Sequence, residues 1–264
     1  MTGILVTGAS GRLGRAVIRS LSVLAPRTRV HALVRRADTA ADLRRRGVHA
    51  RLADYRDPAA LAEAFAGIDR LLFISSPELR PAVRWDHHRA VLDAAEGVGH
   101  IVYTSVHGAD HDPAHAATEA ALRERGGATI LRNGFYTEPF LVRALDDAQG
   151  GTVVSATSGQ PLATAAVDDL AEAAARALLA VPTPLVRELR GPAWTYDELA
   201  ELLGVRLGRP VRHRDVPVGE AGPSGPLHAA AASGALAAET PDLGRLLGRP
   251  PRGIAGVLTQ LPLR

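Results

Sequence analysis

Short apolar runs alternate with amphipathic stretches along the first half of the chain. The apolar runs predict β-strands near residues 3–7, 28–34, 48–53, 69–75, 100–105 and 128–132. The stretches between them predict helices near residues 12–24, 39–46, 58–66, 81–97 and 115–125. Because strands that alternate with helices are joined by right-handed crossovers, this pattern predicts an α/β fold with a doubly wound parallel sheet.

The pattern becomes less regular after Gly150. Strand-like segments are predicted near residues 152–156, 185–190 and 210–216. One helix is predicted to begin at Asp168 and another at Thr195, where Glu198 completes a capping box. Shorter and more mixed elements of this kind indicate a smaller domain that follows the main sheet.

These differences predict two domains. Residues 1–150 are expected to form the sheet domain, and residues 151–264 a smaller α/β cap that supplies substrate contacts. Segments within residues 152–190 are candidates for returning to the first domain. Residues 219–239 are rich in Gly, Ala and Pro. A mobile lid is the preferred interpretation of this stretch, with a poorly ordered loop and short helices as alternatives.

The first predicted strand leads into a glycine-rich turn formed by Gly8, Gly11 and Gly14. Glycine at these positions permits a tight turn, lets the backbone approach a pyrophosphate and allows a helix to pack closely against the strand. The free N–H groups at the start of the helix attract phosphate. The strand before the turn and the helix after it therefore indicate a dinucleotide-binding site. The other candidate cofactor contacts in this turn are Ser10, Arg12 and Leu13.

The residue that follows the second predicted strand indicates which dinucleotide binds. NAD sites usually carry a carboxylate in this region, whereas NADP sites offer an arginine to the 2′-phosphate. Arg35 directly follows Val34, and a guanidinium can contact a phosphate through two hydrogen bonds. The sequence therefore favours NADPH, with Arg12 as a second phosphate contact. NAD stays an alternative because Asp38 lies nearby, in which case Arg35 and Arg36 would be solvated surface charges.

Other polar residues follow the later predicted strands. Because ligands of doubly wound sheets bind at the carboxyl ends of the strands, we expect these residues to line the cofactor and substrate site. Asp54 follows the third strand and is expected to accept a hydrogen bond from the adenine amino group. A turn residue or a helix cap before Pro58 is the alternative role for Asp54. The remaining candidates after strands are Ser75, Ser76, Thr104, Asn133, Phe135 and Tyr136.

Composition limits the classes of function. The chain has 264 residues, of which 46% are hydrophobic, enough for a substantial core. It contains no cysteine, which excludes disulfides, thiolate catalysis and cysteine-bound metals. The formal net charge is only +3, with basic and acidic residues interspersed, so we expect no nucleic-acid partner. Because neither an export signal nor an apolar run of membrane-spanning length is visible, we expect a cytoplasmic protein without a membrane partner.

Segments spread over nearly the whole chain carry a resemblance to a known family. They are residues 6–14, 33–35, 53–55, 71–76, 102–105, 115–119, 131–136 and 240–250. Together they resemble the NmrA-like atypical short-chain dehydrogenase/reductases, and among these the bacterial NADPH-dependent quinone oxidoreductases. The resemblance implies a Rossmann-like sheet, NADPH bound by the glycine turn and Arg35, and hydride transfer to a quinone-like acceptor. It also implies contacts to the nicotinamide from Ser75, Thr104 and residues 133–136.

The usual proton donor of short-chain dehydrogenases is missing. These enzymes place a tyrosine and a lysine four residues apart on a helix, and this chain contains no lysine. His115 and Glu119 occupy the corresponding helix, one turn apart on the same face. Quinone carbonyls are strongly electrophilic, so a positioned hydride donor and a modest or solvent-derived proton would suffice.

The candidates that orient or protonate the acceptor oxygen are Tyr136, Asn133 and His115. Each side chain can form a hydrogen bond to a carbonyl oxygen. For Tyr136, the alternative is an aromatic ring that packs in the cap and whose hydroxyl merely finds a partner. For His115, the alternative is a residue at the start of a helix that is satisfied by Glu119.

His107, His111 and His115 are spaced by four residues, with two aspartates among them. This spacing is superficially similar to a zinc or iron site. Pro113 interrupts the helix that would bring the three rings to one face. We therefore predict no metal site and interpret the segment as a polar loop of the active site.

Three classes of function remain. The leading prediction is an NADPH-dependent oxidoreductase that transfers hydride to a quinone or to a related aromatic or conjugated ketone. The second is a regulatory protein of the NmrA-like type that senses NADP(H) without turnover. The third is a lyase or isomerase on the same scaffold. A small molecule is the expected partner in the first class, and a homodimer is possible.

Overall fold

The computed structural model describes residues 3–220 and 225–262. The chain forms two compact units. The N-terminal unit contains the residues up to Asn133 and Leu170–Glu188, and the C-terminal unit contains Gly134–Asp169 and the residues from Leu189 onward. The first change of unit therefore lies after Asn133 rather than at residue 150, because the chain leaves the main sheet where its sixth strand ends.

One sheet dominates the N-terminal unit. Its strands are β1 (Gly3–Val6), β2 (Arg29–Val34), β3 (His49–Leu52), β4 (Arg70–Ile74), β5 (His100–Val106), β6 (Ala128–Asn133) and β9 (Leu185–Leu189). They lie in the order β3-β2-β1-β4-β5-β6-β9, and the neighbours from β3 to β6 are parallel. The chain thus builds outward on both sides of β1, and ligands of such sheets bind where the strand order reverses. The predicted doubly wound parallel sheet is confirmed.

Helices connect the strands of this sheet. They are α1 (Arg12–Leu24), α2 (Ala37–Arg45), α3 (Pro58–Phe65), α4 (Pro81–Ala94), α5 (Pro113–Arg125) and, later in the chain, α7 (Val167–Leu179). Proline stands in the first turn of α3, α4 and α5, where its fixed φ suits the helix. The carboxylates of Asp57 and Asp112 cap α3 and α5. Helix α5 therefore begins at Pro113 rather than at residue 115.

The strands at the centre of the sheet supply much of the core of the N-terminal unit. Leu5, Leu71 and Phe73 are fully buried. They pack in one cluster with Leu61 of α3 and Val91 of α4. A parallel sheet between helices is buried on both faces, so its strands read as continuous apolar runs. This explains the agreement for the central strands, whereas β3 at the edge of the sheet agrees with its prediction although it is at most half-buried.

The C-terminal unit contains shorter elements. They are α6 (Thr137–Ala148), β7 (Thr152–Ser155), β8 (Leu162–Ala163), β10 (Ala193–Trp194), α8 (Tyr196–Leu207), β11 (Arg212–Asp215), α9 (Gly225–Ala232), α10 (Asp242–Leu247) and α11 (Ile254–Leu258). Strand β11 pairs with β7 in parallel, and β10 pairs with β8 antiparallel. Strands β7 and β11 agree with the predictions. Strands β8 and β10 were not predicted, because a strand of two residues carries no alternating pattern.

Helix α8 begins with the predicted capping box. The Thr195 hydroxyl accepts from the Glu198 N–H at 3.2 Å, and the Glu198 carboxylate accepts from the Thr195 N–H at 2.8 Å. Leu199 and Leu203 of this helix are fully buried beside Trp194 in the core of the C-terminal unit. The cap thus starts the helix in the register that buries its apolar face.

The predicted lid, residues 219–239, includes residues 221–224, which lie outside the described residues. In the described part, Ala231 and Leu236 are buried in the core of the C-terminal unit. The Leu236 carbonyl accepts from the Ala163 N–H at 2.7 Å. This part contains the short helix α9 and packs against its own unit, which differs from an open lid.

None of the helices in the described ranges is both long and apolar enough to cross a bilayer.

Candidate active site

Close backbone contacts form the turn between β1 and α1. Gly8 has a φ of +57°, and its carbonyl accepts from the Gly11 N–H at 3.0 Å. A Cβ atom on Gly14 would lie 2.4 Å from the Gly8 carbonyl oxygen and 2.7 Å from Ala9 Cα, closer than packed atoms approach. Glycine at position 14 is therefore what allows α1 to pack against the turn.

Helix α1 starts at this turn without a capping side chain. Gly11 is its N-cap, and its first turn contains no acidic residue. The N–H groups of this turn have no acceptor within the helix, and the helix dipole adds partial positive charge. Ser10 and Arg12 are exposed, whereas the side chain of Leu13 is buried, which leaves only its backbone for a ligand. This helix start fits a diphosphate group.

Arg35 and Arg36, which follow β2, differ in their surroundings. Arg36 Nε donates to Asp38 Oδ1 at 3.0 Å, and its Nη2 donates to Asp38 Oδ2. Both are exposed, and the hydrogen bonds from Arg36 hold the pKa of the Asp38 carboxyl well below its usual range. Among the residues that the structure describes, no hydrogen bond or ion pair holds the guanidinium of Arg35. Arg35 is therefore the arginine that is free to bind an anion, and Asp38 has both oxygens engaged.

Asp54, which follows β3, lies near Arg35 but is engaged by Arg56. Nε and Nη2 of Arg56 each donate to the Asp54 carboxylate at 3.0 Å. These hydrogen bonds, with a smaller contribution from the charge of Arg35, lower the pKa of Asp54 to about 2. Asp54 also accepts from the Arg56 N–H at 2.9 Å and so forms a turn, whereas the cap of α3 is Asp57. A contact between Asp54 and adenine stays a prediction, and it would have to compete with Arg56.

Ser75 and Ser76, which follow β4, have different partners. The Ser75 N–H donates to Thr104 Oγ1 at 3.2 Å, which joins the ends of β4 and β5. The Ser76 hydroxyl accepts from the Glu78 N–H at 3.3 Å and lies 3.0 Å from His87 Nδ1. Ser76 therefore holds the loop after β4 against α4. The predicted contacts of both serines and of Thr104 to a cofactor stay predictions.

Asn133 ends β6 with an unsatisfied acceptor. Its side chain is 7% exposed, and among the described residues its Oδ1 atom has no hydrogen-bond partner. Its backbone carbonyl accepts from the His107 N–H at 2.8 Å, which fixes the end of β6 against the loop after β5. A buried amide oxygen without a partner is costly, so the position suits a ligand that donates a hydrogen bond.

Phe135 and Tyr136 belong to the C-terminal unit. Phe135 is 38% exposed although its ring is apolar. Tyr136 is the N-cap of α6 and forms a β-bridge with Ala165. The Phe135 carbonyl accepts from the Ala165 N–H at 2.9 Å. Backbone hydrogen bonds thus hold both residues at the start of α6, and their roles toward cofactor and substrate stay predictions.

His115 and Glu119 of α5 have different partners rather than each other. His115 Nδ1 lies 2.7 Å from the Tyr103 hydroxyl. Glu119 is 1% exposed and accepts from the Ser105 hydroxyl at 2.6 Å. Two nitrogens of Arg132 also donate to the Glu119 carboxylate, at 2.8 and 2.9 Å. The alternative in which Glu119 satisfies His115 is therefore wrong, because stronger donors from β5 and β6 reach the carboxylate.

Sequence reasoning missed the ion-pair cluster around Arg132. Besides Glu119, the guanidinium donates to Asp110 at 2.9 Å and to Glu188 at 3.2 Å. Burial raises the pKa of Glu119, but hydrogen bonds from Arg132 and Ser105 outweigh it, so that pKa lies below its ordinary value. The cluster joins α5, β9 and the loop after β5 to β6. The only available signal was an acidic residue among the apolar positions of α5.

The histidines at spacing four do not meet. His115 is buried against β5, and His111 is exposed in a short 3-10 turn. His107 Nδ1 lies 3.6 Å from the Glu188 carboxylate. Within residues 3–220 and 225–262, no group of three or more metal-ligating side chains could hold a metal ion.

Comparison with known proteins agrees with the geometry of the glycine turn. A family model described as NAD(P)H-binding matches residues 8–180. The chain is 39% identical to quinone oxidoreductase 2 from Escherichia coli K12. The matched region is 223 residues long and covers 81% of this chain and 77% of that protein. The chain belongs to the NAD(P)H-binding family.

Solved structures share the fold of this NAD(P)H-binding protein. The NADPH-dependent quinone oxidoreductase of Escherichia coli, complexed with NADPH, has a TM-score of 0.87 at 34% identity, over 97% of this chain and 98% of that chain. The triphenylmethane reductase of Citrobacter sp., complexed with NADP(H), has a TM-score of 0.90 at 31% identity, over 98% of this chain and 100% of that chain. The predicted fold class and the resemblance to bacterial quinone oxidoreductases are confirmed.

Proposed function

We propose that the protein is an NADPH-dependent reductase that transfers hydride to a quinone or to a related aromatic or conjugated ketone. The observation that carries this proposal is the 39% identity to quinone oxidoreductase 2, which extends over 81% of the chain. The likeness to triphenylmethane reductase supports the same class of acceptor, because triphenylmethane dyes are also conjugated and electron-poor.

The N-terminal unit contains groups that fit NADPH. The start of α1 offers backbone N–H groups to the diphosphate, with no acidic residue in its first turn to repel it. Arg35 offers an unengaged guanidinium to the 2′-phosphate. The buried Oδ1 atom of Asn133 offers an acceptor to the carboxamide of the nicotinamide. The first and third of these groups suit either dinucleotide, and Arg35 is the one that supports NADPH over NADH.

Bound NADPH supplies the hydride for the reaction. The chain then has to hold the acceptor against the nicotinamide and stabilise the charge that develops on its oxygen. The lysine of the usual Tyr–Lys pair is unavailable, since the chain has none. A quinone suits such a site because conjugation already activates its carbonyl. His115, Asn133 and Tyr136 are the residues that we propose to orient the acceptor oxygen.

The proposal is tested by mixing the purified protein with NADPH and a panel of quinones, conjugated ketones and triphenylmethane dyes. Loss of the nicotinamide absorbance reports turnover. We expect oxidation of NADPH that depends on the quinone, and little or none with an unconjugated aliphatic ketone as the control. Tight NADPH binding without oxidation by any acceptor would favour the NADP(H)-sensing alternative. Conversion of an acceptor without net oxidation of NADPH would favour a lyase or isomerase.

A further inference from the structure

Three rings form a buried polar cluster between β5 and the helices α4 and α5. His88 and Tyr103 are fully buried, and His115 is 5% exposed. The ring centroid of Tyr103 lies 5.8 Å from that of His88 and 5.9 Å from that of His115. Because His88 and Tyr103 are closed to water, their hydrogens have to find acceptors within the cluster or its surroundings.

The partners of His88 define its tautomer. The backbone N–H of Ser76, which can only donate, lies 2.9 Å from His88 Nε2. His88 Nδ1 lies 2.8 Å from Thr118 Oγ1, whose hydroxyl donates to the Ala114 carbonyl at 2.6 Å. Burial lowers the pKa of His88 to about 3, so the ring is neutral and carries its hydrogen on Nδ1. His88 therefore has no lone pair left for the Tyr103 hydroxyl.

The Tyr103 hydroxyl is closest to a ring nitrogen of His115. It lies 3.5 Å from His88 Nδ1, which carries a hydrogen, and 2.7 Å from His115 Nδ1. Thr118 is also near, but the short contact of 2.7 Å is the one with His115 Nδ1. Tyr103 therefore donates to His115 Nδ1. Since burial lowers the pKa of His115, its ring is neutral and carries its hydrogen on Nε2.

The charges that face His115 come from each element packed around it. Arg84 of α4 and Asp112 at the start of α5 form an ion pair at 2.6 Å. Glu119, one turn further along α5, is paired with Arg132 at 2.8 Å. Asp112 and Glu119 raise the pKa of His115 and Arg84 lowers it, but burial is the largest influence and keeps that pKa below its ordinary value.

We propose that Tyr103 is a positioning residue that holds His115 as the neutral Nε2–H tautomer, and that this N–H donates a hydrogen bond to the carbonyl oxygen of the acceptor. The inference rests on the proposed reductase function. His115 stabilises the negative charge on the oxygen as the carbonyl gains a hydride, and it keeps its own proton. The second hydrogen of the product comes from solvent, so the reduction is balanced by one hydride and one proton.

The position of His115 suits this role. Its ring contacts Tyr103 and Ser105 near the carboxyl end of β5, the edge at which ligands of such sheets bind. Both contacts use Nδ1, which leaves Nε2 available to a ligand. A neutral imidazole is too weak an acid to release its proton, but it is a good hydrogen-bond donor.

Long-range proton–nitrogen NMR spectra of the imidazole rings test the tautomer without turnover. We expect wild-type His115 to be the neutral Nε2–H form from about pH 7 to about pH 8. In Tyr103→Phe, Nδ1 loses its donor, and we expect mixed tautomers or titration within this range. Tyr196→Phe, which alters a buried ring of the C-terminal unit, is the control and should leave the His115 signals unchanged. A wild-type ring with its hydrogen on Nδ1, or a charged ring, would overturn the assignment.

Two variants of His115 separate donation from packing. His115→Asn can still accept from Tyr103 but has no donor at the position of Nε2, whereas His115→Gln can place an amide N–H there. We expect His115→Asn to lower kcat for quinones by about 10- to 100-fold and His115→Gln by less than about fivefold. NADPH affinity should stay unchanged in both. Equal losses in the two variants would contradict the role as a donor.

The pH profile distinguishes a neutral donor from an acid. We expect kcat/KM of the wild type to show no inflection from His115 between about pH 7 and about pH 8, and Tyr103→Phe to introduce one. If the wild type reduces quinones but its rate falls with the titration of His115, the donor role is wrong. If the wild type binds NADPH and reduces no acceptor, both the proposed function and the donor role of His115 are wrong. The NMR spectra then still test whether Tyr103 sets the tautomer of His115.

Discussion

Gly14 lies so close to the Gly8 carbonyl oxygen that any side chain would displace the turn between β1 and α1. We expect Gly14→Ala to weaken NADPH binding by at least about tenfold and to lower the free energy of unfolding by about 2 kcal/mol or more. Calorimetric titration and urea denaturation measure the two effects. Gly97→Ala is a matched control, because a Cβ atom there meets no atom within 4 Å. Equal effects of both substitutions would show that the close contact is unimportant.

Arg35 is expected to distinguish the two dinucleotides. Arg35→Ala should weaken NADPH binding by about 10- to 100-fold, because a phosphate loses a charged partner, and should change NADH binding little. Titration of each variant with both dinucleotides measures this difference. Arg36→Ala serves as the control, since Arg36 is already engaged by Asp38. Equal losses for NADPH and NADH would mean that Arg35 does not contact the 2′-phosphate.

The sequence identified kinds of side chain, but it did not identify their partners. The sequence favoured Arg35 because it directly follows the strand, and only the structure shows that Asp38 engages its neighbour Arg36. Asp54 was a candidate for adenine, and its carboxylate is occupied by Arg56. Both ion pairs depend on side-chain rotamers after the strand ends, which spacing does not specify.

Helix α8 depends on its cap at Thr195. We expect Thr195→Ala to lower the free energy of unfolding by about 1 kcal/mol, because the Glu198 N–H loses its acceptor at the start of the helix. Thermal unfolding followed by circular dichroism measures the change. Thr195→Ser keeps the hydroxyl and should be close to the wild type. A Ser variant as unstable as the Ala variant would indicate that the methyl group, and not the cap, matters.

Helices and strands were predicted correctly where the residues that determine them are close together in the sequence. The central strands of the main sheet and the start of α8 were predictable, because apolar runs and a capping box lie within a few residues. Helix α5 starts earlier than predicted, since Asp112 acts as its cap. The strands β8 and β10 have only two residues each and exist through their pairing with each other. Such pairing is not visible in a single segment.

Buried neutral histidines make the stability of the molecule depend on pH. Burial lowers the pKa of His88 in the folded protein to about 3, from an ordinary value of about 6.5 for histidine. Between these two pKa values, His88 binds a proton in the unfolded chain but not in the folded chain. The contribution of His88 to stability is therefore fully present above the unfolded pKa and decreases as the pH falls below it. From about pH 7 to about pH 5, His88 should account for about 2 kcal/mol of the loss.

Urea denaturation at both pH values checks this expectation. His88→Asn removes the titrating ring, so its loss of stability on acidification should be smaller than in the wild type, although it is less stable at neutral pH. His111→Asn is the control, because His111 is exposed in the folded protein. A His88→Asn variant that loses as much stability as the wild type would show that His88 does not carry the effect.

Local features of the amino-acid order were sufficient to predict the fold class and the family, and they marked the glycine turn and the arginine after β2 as candidates for binding the cofactor. They were sufficient because hydrophobic period, backbone freedom and capping act over a few neighbouring residues. Folding was needed to join Tyr103 to His115, Ser76 to His88, and Glu119 to Arg132. In each pair the partners come from different elements, and packing in three dimensions decides which buried polar groups meet and how their hydrogens are shared.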